Sequence, residues 1–159
     1  MRLAGKVTAG VLILDQVSKY IVLQWLHLER VREFPVFPPF LNFVMAKNRG
    51  VNFGLLSGDT DWMRWVLIIV ALAISLWVWV WIAREPHSRR VNISAGLLVG
   101  GALGNVVDRL VHGAVIDFLN MSLPGWQNPY SFNVADVAIF LGAVGLVLFT
   151  GKDHRANDG

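Results

Sequence analysis

The feature that most constrains this chain is a run of 19 residues without a charge, WVLIIVALAISLWVWVWIA, from Trp65 to Ala83. An α-helix rises about 1.5 Å per residue, so a helix over this run is about as long as the hydrocarbon core of a bilayer is thick. Hydrocarbon offers no hydrogen-bond partners, and a single backbone segment satisfies its own N–H and C=O groups there only as a helix. The run therefore predicts a membrane-spanning helix.

The composition supports a membrane protein and excludes several other classes. Of 159 residues, 55% are hydrophobic and 16% are charged, an apolar excess too large for a small soluble domain. The chain has no Cys, which excludes disulfide scaffolds, thiol nucleophiles and cysteine-metal sites. The net charge of +3 comes from short basic clusters, without the basic stripe of a nucleic-acid-binding surface. We expect residues 1–159 to form a single integral-membrane domain.

Apolar segments predict an all-α membrane protein, built as a four-transmembrane-helix bundle. The predicted spans are residues 7–28, 62–83, 91–111 and 134–151. The first span contains Asp15 and Lys19, and no small-residue cleavage site follows it, so we interpret it as retained and not as a signal peptide. Residues 34–46 are rich in Phe, Val and Pro and predict short extended pieces at the membrane interface.

The distribution of Lys and Arg predicts the orientation of these spans. One side of the membrane would carry the basic residues Arg2, Lys6, Arg84, Arg89, Arg90, Lys152 and Arg155. The other side would carry Arg30, Arg32, Lys47 and Arg49, partly offset by Glu29 and Glu33. Because short cytoplasmic segments are enriched in Lys and Arg, we expect both termini in the cytoplasm.

In this orientation, polar residues from distant segments converge on the outer face. They are Asn48 in the outer loop, Asn105, Asp108 and Arg109 at the end of span three, Asp117 beyond it, and Asn133 and Asp136 at the start of span four. Lys19 lies in the outer half of span one. Ionisable groups at membrane depth are costly and by default mark a functional site.

Two of the acids have basic neighbours in the sequence. Asp15 and Lys19 are four residues apart, so they share a helix face and can pair. This pair either neutralises a structural contact between helices or orients a site, and the two alternatives are not exclusive. Asp108 is followed directly by Arg109.

Asp117 and Asp136 differ from these acids because no Lys or Arg lies within four positions of either one. An apolar, cation-poor setting disfavours the charged form of a carboxyl group, and two such groups close together share a proton. Aspartic proteases use this arrangement to activate water and to protonate the leaving amide nitrogen. Taken singly, Asp117 also fits a solvated loop, and Asp136 also fits an acid at a helix start.

Other chemistries have less support in the sequence. His27, His87, His112 and His154 are scattered without paired spacing, which argues against a histidine metal site. A small proton- or ion-coupled membrane transporter is the rival function, because intramembrane Asp and Lys also mark ion pathways. A lipid-binding or assembly subunit with purely structural polar groups is the third alternative.

Five motifs in order give the chain a family resemblance. They are DQVSK at 15–19, NRGVNFG at 48–54, GGALGNVVDR at 100–109, VIDF at 115–118 and FNVAD at 132–136. Together they resemble the lipoprotein signal peptidases, also called signal peptidase II. The resemblance covers nearly the whole chain, and the order and spacing of the motifs make it specific.

The resemblance implies a membrane aspartic endopeptidase of the bacterial inner membrane, with its active site at the periplasmic face. Such enzymes remove the signal peptide from prolipoproteins by cutting before a cysteine that carries a diacylglyceryl group. It also implies a small β-sheet and a short surface helix on the outer face, no metal or organic cofactor, and globomycin-type cyclic peptides as inhibitors. Membrane lipids would be further partners.

By motif position, the catalytic pair would be Asp117 and Asp136. Residues that would bind substrate or support the site are Asp15, Lys19, Asn48, Gly50, Asn105, Asp108, Arg109, Asn133 and Ala135. We expect Asn105 and Arg109 to order the carboxyl groups, and Asn48 to bind the substrate backbone. One departure is Val51–Asn52, where the family has two small residues, so this loop is expected to fit substrate differently.

Overall fold

The computed structural model describes residues 1–50 and 61–157. Its helices are α1 (Arg2–Tyr20), α2 (Leu28–Val31), α3 (Asp61–Arg84), α4 (Arg89–His112) and α5 (Val134–Asn157), and a π-helical turn at Ile21–Trp25 follows α1. Its strands are β1 (Glu33–Phe37), β2 (Leu41–Asn48) and β3 (Val115–Asn120). The departure at Val51–Asn52 lies outside the described residues.

Three of the described helices are long and apolar enough to cross a membrane. They are Trp62–Arg84, Arg89–His112 and Val134–Gly151, in agreement with the second, third and fourth predicted spans. The first helix falls outside this group because Lys6, Asp15 and Lys19 interrupt its apolar sequence. Within the first predicted span, regular α-helix ends at Tyr20 and the chain then passes through the π-helical turn.

Helix α4 is the centre of the helical layer. Within its apolar stretch 72% of the residues are buried by the rest of the chain, against 22% in α3 and in α5. Glycines allow this close packing: a Cβ atom on Gly96 would lie 2.7 Å from the Ala4 carbonyl oxygen, and one on Gly100 would lie 2.8 Å from Val11 Cβ. Helix α1 therefore contacts the backbone of α4 directly, as small-residue interfaces in membranes do.

The three strands form one antiparallel sheet in the order β1-β2-β3. The predicted extended pieces at 34–46 are confirmed as β1 and β2, which pair through Phe34 and Phe43. Strand β3 was not predicted. Gly113 adopts φ 72° after α4 and turns the chain into β3, where Ala46 of β2 pairs with Asp117. The alternative of a solvated loop at Asp117 is therefore wrong.

The sheet is fixed to the ends of the helices by an apolar cluster. Its buried members come from the π-helical turn, α2, β2 and β3: Val22, Leu28, Met45, Ile116 and Phe118. Leu28 is fully buried, so the short helix α2 is held against the sheet. Because protein interiors are close-packed, this cluster fixes the position of β3 relative to the helices.

Candidate active site

Asp117 and Asp136 come from different elements and meet at one asparagine. Asp117 lies on β3 with 3% of its surface exposed, and Asp136 lies in the first turn of α5. Asn133 Nδ2 donates a hydrogen bond to Asp117 Oδ1 at 2.6 Å, and the Asn133 backbone N–H donates to Asp136 Oδ2 at 3.2 Å. The structure thus brings both carboxyl groups within hydrogen-bond reach of a single buried residue.

The sequence NVAD explains locally why Asn133 lies there. Asn133 Oδ1 accepts a hydrogen bond from the Asp136 backbone N–H at 2.9 Å, while Asp136 accepts one from the Asn133 backbone N–H. This reciprocal pair is a capping box, in which the residue before a helix and the third residue within it satisfy each other's backbone donors. Helix α5 therefore begins at a fixed residue, and its first turn presents Asp136 to the site.

Helix α4 supplies a second amide side chain, that of Asn105, which contacts both Asp136 and Asn133. Asn105 Nδ2 donates to Asp136 Oδ1 at 2.9 Å, and Asn105 Oδ1 accepts from Asn133 Nδ2 at 3.3 Å. Arg109 lies one turn further on, and its Nη1 donates to the Asn105 carbonyl oxygen at 3.3 Å. Both oxygens of Asp136 therefore accept hydrogen bonds, and its orientation is set by the Asn105 side chain of α4 and by the Asn133 backbone N–H.

A buried ion cluster lies beside this pair. Lys19 Nζ lies 2.7 Å from Asp15 Oδ2 and 2.8 Å from Asp108 Oδ2, and none of the three side chains is more than 3% exposed. Gln16 Nε2 donates to both carboxylates, at 3.1 and 3.0 Å. The sequence reasoning did not include Gln16, although it is part of the DQVSK motif. The sequence neighbour of Asp108, Arg109, is not its ion-pair partner, because adjacent side chains diverge on a helix.

Carboxylate oxygens of the cluster also hold the backbone next to each candidate catalytic acid. Asp108 Oδ2 also accepts the Ile116 N–H at 2.9 Å, and Asp15 Oδ1 accepts the Ala135 N–H at 3.0 Å. Ile116 directly precedes Asp117, and Ala135 directly precedes Asp136. The Asp15–Lys19 pair therefore has both of the roles considered for it. As part of the cluster it joins α1 to α4, and the same cluster positions Asp117 and Asp136.

The environment of Asp117 changes its protonation. The pKa of this carboxyl is raised from 3.8 to about 6, first by burial and second by the charge of Asp136. Hydrogen bonds from Asn48 and Asn133 and the charge of Lys19 act in the opposite direction. The expectation that no cation lies near Asp117 was therefore wrong, because Lys19 is close to it in the folded chain. The effect of burial on the pKa is nevertheless larger than the effect of Lys19.

Asn48 and Gly50 bring the end of β2 to the site. The exposed Asn48 side chain hydrogen-bonds with Asp117, and its Oδ1 also accepts the Gly50 N–H at 3.0 Å. Gly50 has φ 104°, a conformation that L side chains rarely adopt. The turn after β2 therefore requires glycine in order to direct Asn48 toward Asp117.

This arrangement is suited to general acid–base chemistry. Two adjacent carboxyl groups with one raised pKa readily hold a single proton between them, so one can accept a proton while the other donates one. Amides from Asn105 and Asn133 fix both groups without adding charge. The other predicted site residues lie around this pair: Asn105, Asn133 and Asn48 hydrogen-bond with its carboxyl groups, and Arg109 and Gly50 contact Asn105 and Asn48. Asp15, Lys19 and Asp108 form the ion cluster, which holds the backbone at Ala135.

Similar proteins provide an independent comparison. The profile of a family described as "Signal peptidase (SPase) II" matches residues 7–151. The lipoprotein signal peptidase of Burkholderia multivorans is 41% identical over 137 residues, which cover 86% of this chain and 80% of that protein. The lipoprotein signal peptidase of a Methylobacterium species is 42% identical over 150 residues, or 94% of this chain and 89% of that protein.

Two solved structures, both described as bacterial membrane enzymes, have similar folds. One has a TM-score of 0.77 at 27% identity and covers 93% of this chain and 92% of its own. The other has a TM-score of 0.75 at 29% identity and covers 97% of this chain and 90% of its own. The similarity in fold therefore extends over nearly the whole chain.

Proposed function

Because the chain belongs to the signal peptidase II family, we propose that Asp117 and Asp136 are its catalytic pair. The chain is a multi-pass membrane peptidase that removes signal peptides from prolipoproteins. The transporter alternative is not supported, since the matching family and relatives are peptidases. The observation that carries the proposal is the hydrogen-bonded contact of both carboxyl groups with Asn133.

In the proposed mechanism, the pair begins the reaction with one shared proton. We assign this proton to Asp117, which is deeply buried and has a pKa raised to about 6, so the protonated, reactive form predominates below that pH. Ionised Asp136 accepts a proton from water as the water oxygen attacks the scissile carbonyl carbon. Asp117 then donates its proton to the leaving amine as the C–N bond breaks. The pair again holds one proton, now on Asp136, and transfer between the two carboxyl groups restores the starting state.

The supporting residues would divide into three roles. Asn105 and Asn133 would orient the two carboxyl groups, and the ion cluster of Asp15, Lys19 and Asp108 would hold the backbone at Ile116 and Ala135. Asn48, at the exposed end of β2, would bind the substrate backbone, and Gly50 would direct it there. Arg109 would order the site next to Asn105.

The topology that fits this site has four spanning helices in one domain of residues 1–159. Helix α1 would be the fourth span, because its Asp15 and Lys19 are buried and paired, with Lys19 also contacting Asp108 of α4. Both termini would be cytoplasmic, and α2 and the sheet would lie at the periplasmic face of a bacterial inner membrane. The carboxyl pair would then lie near the outer leaflet surface.

The proposed substrate carries a diacylglyceryl group on the cysteine that follows the scissile bond. Acyl chains hold such a cysteine at the membrane surface. An active site at that depth therefore binds a peptide bond that is already positioned, and not one that must be captured from dilute solution. Globomycin-type cyclic peptides would compete for the site. The family implies no metal or organic cofactor, so cleavage is expected to persist in EDTA.

Cleavage by the purified protein tests this proposal. We expect it to cut a diacylated lipobox peptide on the N-terminal side of the modified cysteine, and to leave the unlipidated peptide intact. Globomycin is expected to inhibit the reaction. Cleavage of both peptides at equal rates would contradict the proposed lipid requirement, and full activity of Asp117→Asn would contradict the proposed pair.

A further inference from the structure

An apolar groove of about 340 Å³ opens beside the carboxyl pair. It lies between α3 and α5, with α4 as its floor, and its apolar lining includes Val70, Ala71, Ile74, Leu98, Ala102 and Ile139. Val70 and Ile74 are 47% and 46% exposed, so the groove is open on the side that would face lipid. The mechanism described above does not use this groove.

One end of the groove is polar and belongs to the active site. Asn105 and Arg109 are the polar residues of the lining, and Asn105 also donates to Asp136. Arg109 Nε is buried and has no hydrogen-bond partner among the residues that the structure describes. A buried donor without an acceptor is costly, so this end is suited to a ligand that brings a carbonyl oxygen. The groove thus fits a molecule with one polar end and one apolar end.

The dimensions of the groove select a single hydrocarbon chain. From Arg109 to Leu98 the floor extends about 16 Å along α4, close to the depth of one leaflet, which is about 15 Å. The volume divided by this length gives a mean cross-section of about 20 Å². Carbon atoms of neighbouring chains contact at about 4 Å, so one acyl chain fits, whereas a helix about 10 Å across does not.

We propose that this groove holds one acyl chain of the diacylglyceryl group on the substrate cysteine, with its ester carbonyl facing Arg109. The inference rests on the proposed function and deepens it. Lipid tails are as apolar as the groove, so little binding energy is gained when the chain leaves the bilayer. The benefit is positional, because a seated chain holds the cysteine, and with it the scissile bond, beside Asp117 and Asp136.

A matched pair of substitutions on α3 tests this assignment. Ala71 lines the groove, whereas Ala73 is exposed two residues further on and is not part of the lining. Ala71→Phe fills the groove, and Ala73→Phe adds the same side chain outside it. The substrates are two lipobox peptides that differ only in acyl length, dipalmitoyl and dihexanoyl, because a six-carbon chain is much shorter than the groove floor of about 16 Å.

We expect Ala71→Phe to lower kcat/KM for the dipalmitoyl peptide about tenfold, since displacing the chain misplaces the scissile bond. For the dihexanoyl peptide we expect a change within about twofold, and the same small change for Ala73→Phe with either peptide. Equal losses on both peptides, or no loss on the long one, would overturn the groove assignment. If the unmodified protein cuts neither peptide, the proposed function itself fails, which is a separate result.

Photo-crosslinking tests the assignment even if Ala71→Phe does not fold. A dipalmitoyl peptide with a diazirine in one chain is bound to Asp117→Asn protein, which is expected to leave it uncut. The expected labels lie within residues 67–74 and 98–105. Labels on α1, or labelling that excess phosphatidylcholine removes and excess unlabelled peptide does not, would overturn the proposal.

Discussion

The raised pKa of Asp117 predicts that this residue destabilises the protein at neutral pH. Burial and the charge of Asp136 raise its pKa from 3.8 to about 6. The folded protein therefore binds this proton more tightly than the unfolded chain does, and ionisation of Asp117 opposes folding. The cost is absent below about pH 4, grows as the pH rises and is complete above about pH 6.

The structure gives the size of the effect. A shift from 3.8 to about 6 is roughly two pKa units, and at about 1.4 kcal/mol per unit the cost is about 3 kcal/mol as an upper bound. Asp117→Asn removes the charge and keeps an oxygen that accepts the hydrogen bond from Asn133. We expect the variant to have a higher free energy of unfolding by up to about 3 kcal/mol above pH 7, and a gain near zero at pH 4.

Unfolding by SDS titration in mixed micelles, followed by near-ultraviolet circular dichroism between pH 4 and 8, measures this difference. Glu33→Gln is the control, because it removes one negative charge from an exposed position on β1 and is expected to change stability by less than about 0.5 kcal/mol. A gain that does not depend on pH, or one that grows toward acid pH, would refute the argument from Asp117.

Three further substitutions test other parts of the site. Asn133→Ala removes the helix cap and the contact with Asp117, so we expect about 1–2 kcal/mol less stability and about 100-fold lower kcat, measured by unfolding and peptide cleavage. Lys19→Met leaves two buried carboxylates uncompensated and is expected to cost about 3–5 kcal/mol in the same unfolding assay, a loss that adding Asp108→Asn reduces. Gly101→Leu collides with the Ala135 carbonyl and is expected to lower the unfolding temperature.

Each of these predictions has an outcome that would contradict it. Unchanged kcat in Asn133→Ala would mean that the asparagine does not position the acids. A Lys19→Met protein as stable as the parent would mean that the cluster is not paired as described. Normal unfolding of Gly101→Leu would mean that α4 and α5 do not pack at this residue. Gly10→Leu serves as its control, because, apart from its chain neighbours and the nearby backbone of its own helix, none of the residues that the structure describes lies within 4 Å of a Cβ at that position.

The parts of the fold that follow local patterns were predictable from the sequence. Apolar runs predicted the three helices that are long and apolar enough to cross a membrane. The Phe/Val/Pro segment at 34–46 predicted the two strands β1 and β2. The Asp15–Lys19 pair was also predictable, because an i to i+4 spacing fixes which side chains share a face. In each case the determining contacts lie within a few residues.

The parts that depend on tertiary contacts were not predictable. Asp108 pairs with Lys19 of another helix and not with its neighbour Arg109, since the rotation of α4 against α1 decides the partner. Strand β3 owes its conformation to pairing with β2, which lies more than 60 residues earlier in the chain. The end of α1 at Tyr20 was missed because the following residues are apolar and still helical, but in a wider turn.

The candidate site was only partly predictable from the sequence. The orientation predicted from the Lys and Arg distribution placed the polar residues on one face of the membrane. The structure brings four of them together, namely Asp117, Asp136, Asn105 and Asn133. The capping box at Asn133 and Asp136 is visible in the letters NVAD, yet its second task of contacting Asp117 requires the position of β3. A local signal thus identified the residue but not its role.

The most direct test of the catalytic pair is a double-mutant comparison of kcat/KM on the diacylated peptide, with Asp117→Asn, Asp136→Asn and the double variant. Groups that act as one unit are strongly non-additive, so we expect each single variant to lose about 10³-fold or more and the double variant to lose no more than either single one. Thermal unfolding of each variant establishes that it is folded. Near-normal cleavage by either folded single variant, or losses that multiply in the double variant, would contradict the shared role of these two acids.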